Sequence, residues 1–158
     1  MLPPRSPAAN PLTAISLKGR ALRLLSGREH SRAELEKRLQ QYEEAPGDLV
    51  KALDELEAKG FISEQRVIES VINRRQAKLG SARIRQELQS KGLGKEAVID
   101  AVTSLQATEL DRARDIWNRK FGEVATDAKA RGQQMRFFAS RGFSGDVIRK
   151  VMAGVENA

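Results

Sequence analysis

The chain has 158 residues, of which 40% are hydrophobic and 31% are charged, and its formal net charge is +7. This length can bury one ordinary core or a short row of small ones, so the composition excludes a disordered chain. Cysteine is absent, which excludes disulfides, thiolate chemistry and cysteine-ligated metals. No apolar run approaches the ~18 residues of a membrane-spanning helix, and we expect a soluble, cytoplasmic protein.

The first 14 residues hold four prolines and lack the continuous apolar segment of a signal peptide. We therefore expect residues 1–14 to be a disordered lead-in. From residue 15 onward, apolar residues recur at helical spacing without period-two alternation. This pattern predicts an all-α protein with nine short helices. The predicted helices lie near residues 15–26, 31–42, 47–59, 64–78, 81–91, 95–106, 109–121, 126–140 and 144–154.

The first three predicted helices carry clear boundary signals. Ser31 and Glu34 form a capping box, in which the two side chains satisfy backbone N–H groups left free at a helix start. Leu35 and Leu39 face inward on the second helix, and Pro46-Gly47-Asp48 breaks the chain before the third. The first helix has an apolar stripe that we expect to be buried. The stripe consists of Leu17, Ala21, Leu22, Leu24 and Leu25.

Basic-Gly-apolar triplets recur at predicted helix ends. Each places a cation in the last turn, a glycine able to take the left-handed conformation, and an apolar residue that folds back on the helix. The triplets are Lys59-Gly60-Phe61, Lys91-Gly92-Leu93 and Arg141-Gly142-Phe143. Hydroxyl side chains predict the remaining N-caps, because their oxygens accept from free N–H groups. These residues are Ser63, Ser81, Thr108, Thr126 and Ser144.

The chain repeats itself. Residues 31–56 and 80–105 align without a gap at an offset of 49, with eight apolar pairs in 26 positions, whereas chance would give roughly four. A third copy follows at an offset of 50, in which Gly142 aligns with Gly92. Such periodicity is typical of stacked supersecondary units. We predict three tandem three-helix repeats that form an elongated, curved body. The repeats are residues 15–62, 63–107 and 108–158.

The positive charge is uneven along the chain. Residues 60–91 carry seven basic and three acidic residues, and residues 112–150 carry ten and four, whereas residues 15–59 carry nine of each. The positive field therefore belongs to the second and third copies. It favours nucleic acid, an anionic membrane surface or an acidic protein groove as partner. A basic surface that serves only solubility remains an alternative.

The sequence lacks a catalytic or metal-binding constellation. His30 is the only histidine and has no cysteine beside it, so we predict no metal site. The many glutamates can form solvated i,i+4 ion pairs with lysine and arginine on helix faces, so they do not indicate a catalytic acid–base pair. The sequence also contains no phosphate loop, nucleophile motif or nucleotide fingerprint. We predict that the protein is not an enzyme and binds no cofactor. The aromatic residues are interpreted as core residues rather than base-stacking platforms. They are Trp117, Phe121, Phe137, Phe138 and Phe143.

Three segments of the chain form a recognisable set, namely residues 21–35 (ALRLLSGREHSRAEL), 80–92 (GSARIRQELQSKG) and 134–144 (QMRFFASRGFS). Together they resemble the RecX family of bacterial regulatory proteins. The resemblance runs from about residue 17 to residue 154. Two positions depart from the pattern. After its second helix the first copy has Gln41-Tyr42-Glu43, where the other two copies have their basic-Gly-apolar triplet. Gln134 occupies the usually apolar position equivalent to Ile84.

The resemblance implies a non-enzymatic protein that binds the RecA nucleoprotein filament in its helical groove. Such a protein inhibits strand exchange, ATP hydrolysis and repressor cleavage, and so modulates homologous recombination, DNA repair and the SOS response. We expect a monomer that binds no membrane and makes at most a weak direct contact with DNA. The alternative is a basic helical protein that binds single- or double-stranded DNA directly.

The family motifs of the second and third copies and the basic clusters at predicted helix ends suggest the contact residues. Packing and capping roles fall to Ile84, Leu88, Gly92, Phe138 and Gly142. We expect eight basic residues to contact the RecA filament or DNA. They are Arg74, Arg75, Lys78, Arg83, Arg85, Lys91, Arg136 and Arg141.

Overall fold

Helices account for most of the chain in the computed structural model, which describes residues 15–154. They are α1 (Leu17–Gly27), α2 (Arg32–Leu39), α3 (Asp48–Ala58), α4 (Glu64–Arg75), α5 (Ser81–Ser90), α6 (Lys95–Lys120), α7 (Ala128–Ser140) and α8 (Gly145–Met152). A short 3₁₀ helix, Gln40–Tyr42, follows α2. Residues 15–154 contain no strand, which confirms the all-α prediction. The predicted lead-in lies outside the described residues. None of the described helices is long and apolar enough to cross a membrane.

The chain divides into two compact units between Ser63 and Glu64. Unit 1 contains α1–α3 around one apolar core. The core residues are Ala21, Leu35, Leu39, Leu49, Leu53, Leu56 and Ile62. Three leucines of the predicted α1 stripe pack against this core, namely Leu17, Leu24 and Leu25. Leu22 does not, because 37% of its surface is exposed. The buried stripe of α1 is therefore narrower than predicted.

Unit 2 contains α4–α8 and has two apolar clusters, to both of which α6 contributes. The first cluster joins α4, α5 and the first half of α6. It consists of Ile68, Val71, Ile84, Leu88, Val98, Val102 and Leu105. The second joins the other half of α6 to α7 and α8. It consists of Leu110, Ala113, Ile116, Trp117, Phe138, Phe143, Ile148 and Val151. One helix therefore carries two cores.

The predicted break between helices 95–106 and 109–121 is wrong, because α6 is continuous from Lys95 to Lys120. Thr108, the predicted N-cap, lies inside it, and its hydroxyl donates to the Leu105 carbonyl at 3.2 Å. A threonine that bonds back to the preceding turn can be accommodated within a helix instead of starting one. No glycine or proline lies between residues 95 and 120 to break the backbone.

Two further caps differ from prediction by one residue. Asp127, not Thr126, caps α7, and its carboxylate accepts from the N–H groups of Lys129 and Ala130. Gly80, not Ser81, is the N-cap of α5. The Ser81 hydroxyl is buried and has no hydrogen-bond partner among the described residues. It is not needed as a cap, because groups from other helices accept from the first N–H groups of α5.

Several other boundary signals are confirmed, whereas the predicted N-cap at Ser63 stays a prediction. Ser31 and Glu34 form the predicted capping box, and Ser144 caps α8. The glycines of the three basic-Gly-apolar triplets all have positive φ. Their values are 82° at Gly60, 67° at Gly92 and 87° at Gly142. These glycines take the left-handed conformation that ends a helix, as the sequence pattern predicts.

Gln134 shows how a polar residue fits the position that is apolar in the second copy. It is 8% exposed, and its amide donates to the Glu123 carbonyl at 3.0 Å. Its side-chain oxygen accepts from the Ala125 N–H, also at 3.0 Å. Because both ends of the amide are satisfied, Gln134 is tolerated in the core and fixes the loop before α7.

The start of α5 lies against the end of α7. The Gly80 N–H donates to the Arg141 carbonyl at 2.8 Å, and the Ala82 N–H donates to the Gly142 carbonyl at 3.2 Å. The Arg83 guanidinium donates to the Ser140 carbonyl at 2.7 Å. Free donors at one helix start thus satisfy free acceptors at another helix end. The backbones approach so closely that a Cβ at Gly80 would lie 2.4 Å from Gly142.

Two charged residues of α6 complete this junction, one of them buried and the other half-buried. Glu109, 5% exposed, accepts from the Ser81 N–H at 3.2 Å. The Arg112 guanidinium donates to backbone carbonyls of Gln76, Leu79 and Leu105 at 2.8, 2.7 and 3.0 Å. Burial lowers the pKa of Arg112 from its usual value, and the nearby Glu109 charge opposes that shift. The hydrogen bonds compensate for the partial desolvation of the Arg112 charge.

We predict that Gly80→Ala destabilises the protein by roughly 2–4 kcal/mol, because the added methyl overlaps the Gly142 backbone and breaks hydrogen bonds. Gly145→Ala is the matched control. A Cβ at Gly145 meets nothing within 4 Å, so we expect a change within about 1 kcal/mol. Urea denaturation measures both. Equal stability of the two variants would contradict the close approach of α5 and α7.

His30 is the basis of a pH prediction. It is 3% exposed, and its Nδ1 lies 3.0 Å from the Arg28 carbonyl. Burial lowers the His30 pKa, an effect that the Arg28 hydrogen bond partly opposes. The unfolded chain therefore takes up the proton more readily than the folded chain. We expect the free energy of unfolding to fall as the pH drops below about 6.5.

The variant His30→Gln separates this effect from the titration of carboxylates. We expect the variant to lose part of the slope of stability against pH between about pH 7.5 and 5.5, because its side chain does not ionise. Denaturation curves at several pH values measure the slope. A slope identical to that of the parent chain would show that His30 does not contribute.

Candidate functional site

A hollow of about 430 Å³ lies where the C-terminal ends of α4, α6 and α7 meet in unit 2. Its apolar lining consists of Ala77, Ile116 and Phe137, and its charged lining consists of four cations. The cations are Lys78, Arg119, Lys120 and Arg141. We call this site the Phe137 hollow. Three helix ends bring together charges that are far apart in the sequence.

Phe137 positions two of the cations. The Arg141 guanidinium carbon lies 3.6 Å from the centre of the Phe137 ring, and the Lys120 Nζ lies 4.6 Å from it. An aromatic face attracts a cation at these distances. Phe137 also packs against Phe121 and Phe138, with ring centres 5.4 and 5.2 Å apart. The ring is thus a support for charge at the edge of the core, in agreement with its interpretation as a packing residue.

The positive charge of the hollow is not compensated by a carboxylate of its lining. Within residues 15–154, no aspartate or glutamate lines it. Arg119 donates to the Asp115 carbonyl at 3.2 Å, and Arg141 donates to the Phe137 carbonyl at 3.2 Å, both within their own helices. Helix C-terminal ends carry partial negative charge, which makes a convergence of cations there less unfavourable. The arrangement is suited to binding carboxylate or phosphate groups, and its lining offers no acid–base pair.

The structure brings two of the eight predicted contact residues together, because only Lys78 and Arg141 line the Phe137 hollow. Two others make internal contacts. Arg75 forms an ion pair with Glu87 at 3.0 Å, which joins α4 to α5. Arg83 donates to a carbonyl at the end of α7. These two side chains contribute to packing between helices, whatever else they contact.

The remaining four predicted residues are spread over unit 2. Arg74 is exposed and donates to the Ser70 carbonyl of its own helix at 3.3 Å. Arg85 is exposed and lines a separate groove between α5 and α6. Lys91 is half-buried at the C-cap of α5. Arg136 is exposed and lies over Gly132. Their contact with a partner remains a prediction.

Family models match all three predicted copies. They are described as the first, second and third three-helix domains of RecX, and they match residues 18–56, 63–102 and 107–152. Regulatory protein RecX of Leptothrix cholodnii is 50% identical over 138 residues, which cover 87% of this chain and 88% of the relative. The chain belongs to the RecX family. The RecX protein of Herminiimonas arsenicoxydans is 46% identical and covers 90% of this chain and 94% of its own.

Solved RecX structures share the fold. The crystal structure of RecX from Lactobacillus salivarius superposes with a TM-score of 0.69 at 18% identity, and covers 88% of this chain and 94% of its own. A second RecX crystal structure gives a TM-score of 0.67 at 20% identity, and covers 85% and 70% of the two chains. The resemblance seen in the sequence is thereby confirmed at the level of family and fold.

Arg119 and Lys120 were not among the predicted RecX contact residues, although they line the Phe137 hollow beside Lys78 and Arg141. Both lie in the last turn of α6, where cations interact favourably with the helix dipole, so their presence there has a local explanation. The available signal was their closeness in sequence to Phe121, which packs on Phe137. The signal is weak, because nothing local relates the end of α6 to the turn after α4.

Proposed function

We propose that this RecX chain is a non-enzymatic regulator that binds the RecA nucleoprotein filament in the cytoplasm and inhibits its activities. Membership of a family whose members are named regulatory proteins supports a regulatory role. The observation that carries the proposal further is the Phe137 hollow, which gathers four cations and, among the described residues, no carboxylate. Such a site favours an anionic surface as its partner.

In this proposal, the chain inhibits RecA by binding to the filament. A nucleoprotein filament presents DNA phosphates and protein carboxylates, both of which pair with lysine and arginine. A chain that binds one state of the filament more tightly than another shifts the filament toward that state. Strand exchange, ATP hydrolysis and repressor cleavage are then reduced together, because all three depend on the same filament. No chemical step by the bound chain is required.

Direct binding to DNA is the second candidate function. The same four cations are suited to phosphate oxygens, and residues 64–154 carry 18 basic against 11 acidic residues. DNA binding of this kind releases counterions, so its affinity falls steeply with salt. It also requires no RecA. These two properties distinguish it from regulation through the filament.

The first experiment is a titration of RecA ATPase activity on single-stranded DNA with the full chain, beside a DNA-binding assay without RecA at the same salt concentrations. We expect inhibition at concentrations at which free DNA remains unbound. Inhibition well below one chain per RecA protomer would indicate capping or disassembly of filaments. Inhibition near saturation would indicate groove occupancy. If ATPase activity fell only once DNA was coated, competition for DNA would replace filament regulation.

A paired substitution tests the Phe137 hollow. We expect Arg119→Gln/Lys120→Gln to raise the concentration needed for half-inhibition of RecA ATPase about tenfold or more, because two of four cations are lost. The adjacent pair Arg149→Gln/Lys150→Gln is the control with the same charge change. Both control cations contact Asp146 on their own helix. We expect the control to inhibit within about threefold of the parent.

Far-UV circular dichroism and urea denaturation establish that both double variants are folded. If the Arg149/Lys150 pair weakens inhibition as much as the Arg119/Lys120 pair, general charge rather than the Phe137 hollow determines binding. If neither pair has an effect, the hollow is not the contact surface.

A further inference from the structure

Unit 1 carries a second cationic site that its overall charge conceals. Residues 15–59 hold nine basic and nine acidic residues, so their net charge is zero. A hollow of about 250 Å³ nevertheless has only basic residues as its charged lining. It is lined by Arg20, Arg23, Leu24, Arg38, Leu39, Gln41 and Tyr42. We call it the Tyr42 hollow.

Five acidic residues of unit 1 form ion pairs outside the Tyr42 hollow. Arg32 alone forms ion pairs with three carboxylates, those of Glu36, Asp54 and Glu57, at 3.1, 2.7 and 2.8 Å. The hydrogen bond with Glu57 is the largest of the effects that raise the Arg32 pKa. Two more pairs are Lys18 with Glu55, and Arg28 with Glu34. The charges of unit 1 are therefore separated over its surface.

The three arginines of the Tyr42 hollow have no such partners. No ion pair joins Arg20, Arg23 or Arg38 to a carboxylate within residues 15–154. The Arg20 guanidinium carbon lies 3.7 Å from the centre of the Tyr42 ring. Arg20 and Arg23 are three residues apart on α1, which places them on one helix face. The ring of Tyr42, whose side chain is 41% exposed, thus holds one guanidinium in place beside two others.

The hollow combines these charges with a small apolar surface. Leu39 is buried in the core of unit 1, and Leu24 packs against the same core. At about 250 Å³ the hollow is smaller than the ~300–1,000 Å³ of pockets that hold small molecules. It is of a size for one or two side chains rather than a cofactor. An apolar side chain would contact the leucines, and neighbouring anionic groups would contact the arginines.

We propose that the Tyr42 hollow binds an acidic peptide segment of a partner protein. One apolar side chain of the segment packs on Leu24 and Leu39, and flanking carboxylates pair with Arg20, Arg23 and Arg38. Guanidinium groups bind carboxylates through two parallel hydrogen bonds, which gives such a site geometric specificity as well as charge. The proposal stands independently of the RecA regulation proposed above.

A peptide is favoured over nucleic acid by the charge of unit 1. Binding to a phosphate backbone depends on an extended positive field, and the described part of unit 1 has none because residues 15–63 carry nine basic and nine acidic residues. The Tyr42 ring is also a poor platform for a base, since the Arg20 guanidinium already covers one face. A short acidic segment needs only the local cluster of arginines.

The test uses the full chain and a fluorescein-labelled probe peptide of sequence Asp-Leu-Glu-Asp-Leu-Glu, with fluorescence anisotropy as the readout. The control peptide, Asn-Leu-Gln-Asn-Leu-Gln, keeps the apolar residues and loses the charges. We expect saturable binding of the acidic peptide and at least tenfold weaker binding of its amide counterpart. Equal binding of both peptides would overturn the proposal, because carboxylates would then play no part.

Single substitutions test whether the peptide binds in the Tyr42 hollow. We expect Arg38→Gln to weaken binding of the acidic peptide about five- to tenfold, and Lys37→Gln to change it less than twofold. Lys37 is the matched control, because it is the exposed neighbour on α2 and does not line the hollow. An equal loss in both variants would show nonspecific attraction and would overturn the proposal.

Two further arms exclude other sites and partners. Arg119→Gln/Lys120→Gln should leave peptide binding within twofold, and a loss confined to that variant would place the peptide in the Phe137 hollow instead. An unlabelled oligothymidylate should displace the peptide poorly. If it displaced the peptide efficiently and its own binding were weakened by Arg38→Gln, the hollow would be a nucleic-acid site. No arm contains RecA, so the result is separate from that of the ATPase assay.

Discussion

Unit 2 depends on the way the start of α5 and the end of α7 satisfy each other. A helix start leaves N–H groups without partners, and a helix end leaves carbonyls without partners. Here the N–H groups of Gly80 and Ala82 donate to the carbonyls of Arg141 and Gly142, and Glu109 accepts from the intervening N–H group of Ser81. The two backbone hydrogen bonds require a close backbone approach, which only glycine permits at Gly80 and Gly142. The second and third copies are therefore held as one unit by backbone contact as well as by the shared helix α6.

The same junction forms the Phe137 hollow. Arg112 donates to the carbonyls of Gln76 and Leu79, which flank Lys78, and so fixes the turn after α4 against α6. The junction between α5 and α7 fixes Arg141 from the other side. Lys78 and Arg141 come together because the backbone on either side of them is held by hydrogen bonds. A site built in this way presents its cations with little motion of the main chain, which reduces the entropy lost on binding an anionic partner.

Sequence patterns predicted the features whose cause lies within a few residues. The capping box at Ser31 and the glycine turn at Gly142 depend on neighbouring groups, and both were predictable. Thr108 was misassigned because a hydroxyl can cap a helix or bond back within it, and only the packing of α6 against its neighbours decides. Of the four cations that line the Phe137 hollow, the sequence singled out only Lys78 and Arg141, because helix packing decides which cations come together. Averaging charge over residues 15–59 hid the Tyr42 hollow, since the separation of charge appears only when α1 and α2 are packed.

The two hollows differ in a way that bears on their use. Residues 64–154 carry 18 basic and 11 acidic residues, so the Phe137 hollow lies in a long-range positive field. Such a field raises the rate of encounter with an anionic partner and is screened by salt. Unit 1 has no such field, and its Tyr42 hollow offers only arginines at short range. Guanidinium pairing acts only at contact and requires a matching geometry of the partner group. It therefore contributes selectivity rather than long-range attraction. A chain with both kinds of site would reach a highly charged partner through unit 2 and would distinguish among acidic protein surfaces through unit 1.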